Sequence, residues 1–214
     1  MSYIAMKTYS IPLFPLPTVI CPDGILPLKI YEARYLDMVK ACLRGKNHFG
    51  VVTVLPEGST DREGDWWFGD YGTVVKIIDA DVPTPGLMTI RAQGLQRIHI
   101  KSFDKEPDGL IMGFVEEIPN DLPLSIPDDL KEASFKLDAL IQSLPRQGIM
   151  TGDIPFTSPY KLDECGWVAD RWVELLEIPL IDKHRLMQLE SPVVRLELVL
   201  DILEAKDPKA PEVQ

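Results

Sequence analysis

Cysteine and histidine are scarce in this 214-residue chain: three of each, at Cys21, Cys42 and Cys165 and at His48, His99 and His184. The cysteines are odd in number and far apart. No C-x-x-C pair or zinc-type Cys/His spacing links them, so neither a disulfide framework nor a metal site is indicated. Buried thiols in a reducing compartment are the expectation. No histidine stands in an H-E-x-x-H or H-x-x-x-H arrangement, and His99, between Ile98 and Ile100 in a strand-like run, is expected to face solvent. A G-x-S-x-G elbow is missing. So is a phosphate-cradling G-x-x-x-x-G-K-[ST] loop, since Gly45-Lys46 lacks both the first glycine and the hydroxyl. The adjacent pair Glu116-Glu117 would point to opposite faces of a strand. Asp128-Asp129 reads as charge at a helix N-terminus. No catalytic residue, cofactor or metal is expected from these patterns.

Long apolar runs are missing too. Nothing approaches the ~18 residues that span a bilayer, and the opening MSYIAMKTYS lacks the basic and apolar regions of a signal peptide. A cytoplasmic address follows as an expectation. Basic charge is also short. Residues 1–120 carry 12 Lys and Arg against 15 Asp and Glu, and residues 121–214 carry 10 against 18, which together give the net charge of -11. Nucleic-acid binding draws its affinity from basic side chains that displace counterions, and anionic membranes attract the same residues. Neither nucleic acid nor membrane is an expected partner.

What is present begins with β patterning. Ser10–Pro17 is apolar and punctuated by prolines, which suit an edge or strand end better than a central strand. Val19–Ile30 is a second run, broken by a turn at Pro22-Asp23-Gly24. Glu32–Leu43 has helical spacing, with Gly45 as its stop. Strand-like runs follow at 49–55, 72–79, 87–100 and 109–117, with a bulge expected at Ala92-Gln93-Gly94. Beyond three prolines between Pro119 and Pro127 the period changes to helical. One helix starts at Pro127 and carries an apolar face of Leu130, Ala133, Phe135, Leu137, Leu140, Ile141 and Leu144. Others fit 162–176, 182–189 and 191–205, the last opened by an N-cap Ser191 and Pro192.

Two features suggest binding. Trp66-Trp67-Phe68 places three aromatics in a row on a strand, so at least one must leave the core, and rim aromatics are common binding anchors. The loop from Arg146 to Pro159 is long and carries the apolar side chains Ile149, Met150, Ile154 and Phe156; loops of that length are often functional. Trp66, Trp67, Phe68, Ile149, Met150 and Phe156 are therefore the candidate partner-binding residues.

The stretch IPLFPLPTVICPDGILPLKIYEARYLDMV resembles the opening of the Lon protease N-terminal domain, the Lon substrate-binding domain. The matching positions are Pro12, Leu13, Phe14, Pro15 and Leu16, then Leu26, Pro27, Leu28, Ile30, Tyr31, Glu32, Arg34 and Tyr35. Weaker matches follow at Gly50–Val52, Gly72–Ile77, Gly94, Arg97, Ala169-Asp170, Leu175-Leu176 and Ile178-Pro179, so the resemblance runs from about residue 10 to 205. It implies an α+β fold: a PUA-like β-barrel with one embedded helix (residues 1–119), then a helical bundle (120–206) and a flexible tail (207–214). In the signature itself, Arg34 is placed to pair with Glu32 or another strand, and Tyr31 and Tyr35, four apart, to stack on one helix face.

Lon proteases continue into an ATPase module and a Ser-Lys peptidase domain, which this sequence does not contain. The expectation is thus a non-catalytic module that binds unfolded or apolar protein segments or a specific protein partner, as cereblon-type proteins use such a domain. A homo-oligomer is compatible with the sequence. The alternatives are an RNA-binding PUA-like barrel, or a small-molecule or enzymatic cleft between barrel and helices.

Overall fold

Alternation of apolar residues builds β1 (Thr8–Leu16), β2 (Ile25–Ile30), β3 (Phe49–Val54), β4 (Phe68–Thr84), β5 (Leu87–Lys105) and β6 (Ile111–Glu117). The computed structural model describes residues 7–45, 47–56, 67–148, 154–156 and 158–206. The strands join in the order β2-β5-β4-β3-β1-β6, and a further β5–β6 pairing closes five of them into a barrel. The long β5 makes this possible. Its first half pairs with β2 (Met88–Gln93) and its second half with β6 (Ile98–Lys105), while β4 runs along its other edge. Register shifts in the β4–β5 and β5–β6 ladders supply the bends that closure needs. One of them leaves Leu95 as an extra residue beside Gly94, where the sequence predicts a bulge.

β1 corrects the expectation for prolines. It lies between β3 and β6, not at an edge. Its partners change at Leu13: residues Thr8–Leu13 pair with β6, and Leu13–Leu16 pair with β3. Pro12 and Pro15 thus each fall in a half of the strand that is paired on one side only, where a missing N–H need not break a ladder.

Leu13, Phe68, Ile98, Ile100 and Val115 fill the barrel interior. A second cluster lies under the embedded helix α1 (Ala33–Gly45), where Tyr35, Met38 and Val39 pack on Phe14, Phe49 and Ile90. Tyr35 stacks on Phe14 with ring centroids 4.0 Å apart, whereas Tyr31 precedes the helix and is exposed, so the two tyrosines do not stack together. Arg34 donates to Glu32, one of the two partners its sequence suggests, while its other contact is to the carbonyl of Gly109 in the turn between β5 and β6 and not to a strand.

The helices are α2 (Lys131–Ser143), α3 (Cys165–Leu175), α4 (Leu180–Gln188) and α5 (Pro192–Lys206), with a 3-10 turn at Asp128–Leu130 and another at Leu144–Gln147. Ser191 Oγ accepts from the Val194 N–H, as the N-cap pattern predicts. α3 is the central helix, buried along nearly its whole length against α2, α4 and α5. Phe135, placed on the apolar face of α2 by its sequence, instead points outward and is 69% exposed. Cys21, Cys42 and Cys165 are free and buried.

The segment between β1 and β2 joins the layers. Thr53 and Thr73 on the barrel wall donate to the carbonyls of Thr18 and Ile20. Val19 and Cys21 enter the helical core. Gly94 exchanges backbone hydrogen bonds with this segment, and a Cβ there would collide with the Cys21 carbonyl.

Candidate functional site

Ile98 and Ile100 point into the barrel, so Arg97 and His99 project from its outer wall. α4 and α5 cover Arg97. Its Nη1 donates to the carbonyls of Met187 (2.9 Å) and Leu189 (2.8 Å), and its Nη2 to Asp121 Oδ1 (2.8 Å). Those carbonyls end α4, where helical acceptors lack partners. From the other side Arg195 of α5 donates to Asp121 Oδ2 and Asp170 Oδ1, both at 2.7 Å, and to the Leu189 carbonyl at 2.6 Å. Two guanidinium groups, one from the barrel and one from the helices, share Asp121 and Leu189. Burial pushes the Asp170 carboxyl up, against the pull of Arg195. For Arg195 burial acts to lower the pKa, but Asp170 and Asp121 outweigh it and hold the group firmly cationic.

A second charged knot ties α3 to the β1–β2 segment. Arg171 donates to the Pro22 carbonyl (2.7 Å), and Glu174 Oε1 accepts from the Cys21 N–H (2.8 Å). Arg171 Nε lies 3.0 Å from Glu174 Oε2. Burial raises the Glu174 pKa to about 7, although Arg171 and the Cys21 N–H both favour the carboxylate. The carboxylates of the two knots each face a guanidinium, an arrangement that fixes layers together and leaves none of them placed as a free base.

Outside Arg97 and Asp121 lies an open groove of about 420 Å³. One wall is barrel: Tyr71 and His99, a cross-strand pair stacked at 4.7 Å. The other is the segment leading from β6 toward α2, with Pro119, Leu122 and Leu124, and the floor continues to Pro192 at the start of α5. Leu122 is 74% exposed and Leu124 42%. The backbone of Asn120, Asp121 and Leu122 makes no hydrogen bond to another described residue, so its donors and acceptors remain available. Beside the groove, Asp70 lies 3.7 Å from His99 Nε2 and 4.0 Å from His184 Nε2. Burial lowers the pKa of His184, against the pull of Asp70. Gly69 permits this packing, because a Cβ there would strike the His184 ring. The chemistry on offer is apolar contact plus backbone hydrogen bonding along an extended edge.

The nominated residues are scattered. Trp66, Ile149 and Met150 lie outside the described residues. Trp67 is 47% exposed and packs edge-on against Phe68. Phe68 is 0% exposed, inside the barrel against Phe103, and Phe156 is 2% exposed, in the helical core against Trp167. Neither phenylalanine offers a surface to a partner, because each fills a core whose apolar burial would be lost. The structure puts them in different clusters. The groove lining shares no residue with that set. The visible signal was Leu122 and Leu124 in a proline-rich connector, where apolar side chains have no core to enter.

The model of the ATP-dependent protease La (LON) substrate-binding domain matches residues 10–205. The chain belongs to this family. The Lon substrate-binding fold is also seen in the crystal structure of a Lon N-terminal domain protein from Xanthomonas campestris, which is 28% identical, has a TM-score of 0.72, and aligns over 90% of this chain and 98% of that one. The N-terminal domain of a Mycobacterium avium complex Lon protease shares the fold at 19% identity and a TM-score of 0.60, over 90% of this chain and 97% of that one. Among curated relatives, a Lon protease of Anaeromyxobacter dehalogenans is 22% identical over 92% of this chain and 23% of its own length. A LON peptidase N-terminal domain and RING finger protein of Schizosaccharomyces pombe, C14F5.10c, is 26% identical over 81% of this chain and 40% of its own length. The chain thus spans less than half of the curated relatives it matches. Within the Lon domain, Arg97 and Asp170, read as weak matches in sequence, belong to the charged seam. Among the described residues no helix is long and apolar enough to cross a membrane.

Proposed function

We propose that this Lon substrate-binding domain is a non-catalytic module that holds extended apolar segments of other proteins, unfolded clients or a dedicated partner, in the groove between Tyr71/His99 and Leu122/Leu124. The observation that carries the reading is an apolar groove with exposed leucines beside backbone whose hydrogen bonds are unmade. Extended peptides bind such edges through main-chain hydrogen bonds and alternate side-chain contacts. Trp67 is a second contact. The strands up to 119 and the helices of 120–206 act as two subdomains clamped by the Arg97–Asp121–Arg195 seam. The net charge of -11 favours protein over nucleic acid as the partner, and buried free thiols suit the cytoplasm.

Fluorescence anisotropy of a labelled, reduced and unfolded model protein tests this. Wild type is expected to bind, and Leu122→Asp/Leu124→Asp to weaken binding about tenfold or more, with Trp67→Ala giving a smaller loss. Failure of the wild type to bind, or full binding by the double variant, contradicts it.

A further inference from the structure

The groove's charges do not balance. Arg97 contributes no free cation, since its side chain is 3% exposed and its donors are taken by Asp121 and the carbonyls of Met187 and Leu189. Lys101 sits against Glu116 at 2.6 Å, and the two cancel. Arg195 neutralises what Asp121 and Asp170 leave over. Glu190 remains: it lines the groove, is exposed, and meets no cation among the described residues. This local excess lies within residues whose wider field is also negative, given the chain's net charge of -11.

We infer that the groove selects apolar segments flanked by lysine or arginine, with Glu190 as the residue that meets the cation. The inference rests on the binding reading above and adds the class of client. A carboxylate at the rim of an apolar groove acts mainly on specificity and association rate, and its effect is screened by salt. An anionic segment of equal apolarity meets the same leucines but is repelled at Glu190.

The test uses two labelled peptides with identical apolar residues, one flanked by lysines and one by glutamates, titrated against the whole chain at low and physiological salt. The lysine peptide is expected to bind about tenfold more tightly at low salt, a difference of ~1.4 kcal/mol, with the margin shrinking as salt rises. Glu190→Lys should abolish most of that margin. Glu204→Lys, at the far end of α5, changes net charge equally but should leave the margin nearly intact. Equal binding of both peptides by wild type overturns the inference and leaves the binding reading standing. Equal effects of the two substitutions overturn the role of Glu190, because they reduce the preference to net charge. If neither peptide binds, the binding reading itself fails, and the inference with it.

Discussion

Two neighbouring outward-facing positions on one stretch of barrel wall meet opposite fates. Arg97 turns into a seam where every charge is met by another side chain or a helix-end carbonyl. Two residues on, His99 stacks with Tyr71 on a groove left open to solvent. The seam is charged and closed, and the groove is apolar and open, the reverse of what burial alone would favour. Burying ions is costly, and a buried pair is sustained only by close geometry and added hydrogen bonds. Their directionality fixes how the helices sit on the barrel. The groove, formed between those two layers, takes its shape from the seam, and under the proposed binding reading that preset shape lowers the ordering cost of holding a segment.

The comparison breaks first at Arg195. Replacing it with alanine leaves Asp170 without its guanidinium partner and Asp121 with Arg97 alone, and chemical denaturation should show a loss of about 3–5 kcal/mol. A loss below ~1 kcal/mol would mean that the seam is not what joins the layers. A smaller effect tests the second knot by pH. Because Glu174 has its folded pKa raised from 4.5 to about 7, the folded protein binds this proton more readily than the unfolded chain. Its contribution is fully present below ~4.5 and is lost as pH rises through about 7. Relative to Glu174→Gln, wild-type stability should thus fall between pH 4.5 and 8, by on the order of 3 kcal/mol. Comparing against the variant removes the opposite slope of His184, whose lowered pKa costs stability on acidification. Parallel stability curves for the two proteins would contradict the placement of Glu174.

Much of the fold was legible because period reports it. The alternation around Ile98 and Ile100 and the helical spacing after Pro127 each predict the element that forms. The failures have local causes. Proline in β1 suggests an edge, yet a strand that changes partners at Leu13 accommodates it inside the barrel. Phe135 has the spacing of a core residue, but the neighbouring helices meet the face of Ala133, Leu137 and Ile141. Arg195, set in the apolar run of α5, gives no sign in sequence of the carboxylates it serves, since Asp121 and Asp170 lie 74 and 25 residues away. The groove was less legible still. Tyr71, His99, Leu122 and Pro192 come from separate elements and meet only when the barrel closes and the helices dock. The run Trp66-Trp67-Phe68 has the sequence of an exposed aromatic cluster, yet Phe68 points inward and fills the barrel.

The most direct test of the groove compares two equally exposed apolar positions. Leu122 lies on the groove at 74% exposure, and Phe135 lies on α2, outside the groove lining, at 69%. A photo-crosslinking amino acid placed at either site should leave stability nearly unchanged, within ~0.5 kcal/mol. On irradiation with an unfolded client, the account predicts strong crosslinking from position 122 and background from 135. Equal crosslinking from both, or more from 135, would contradict it.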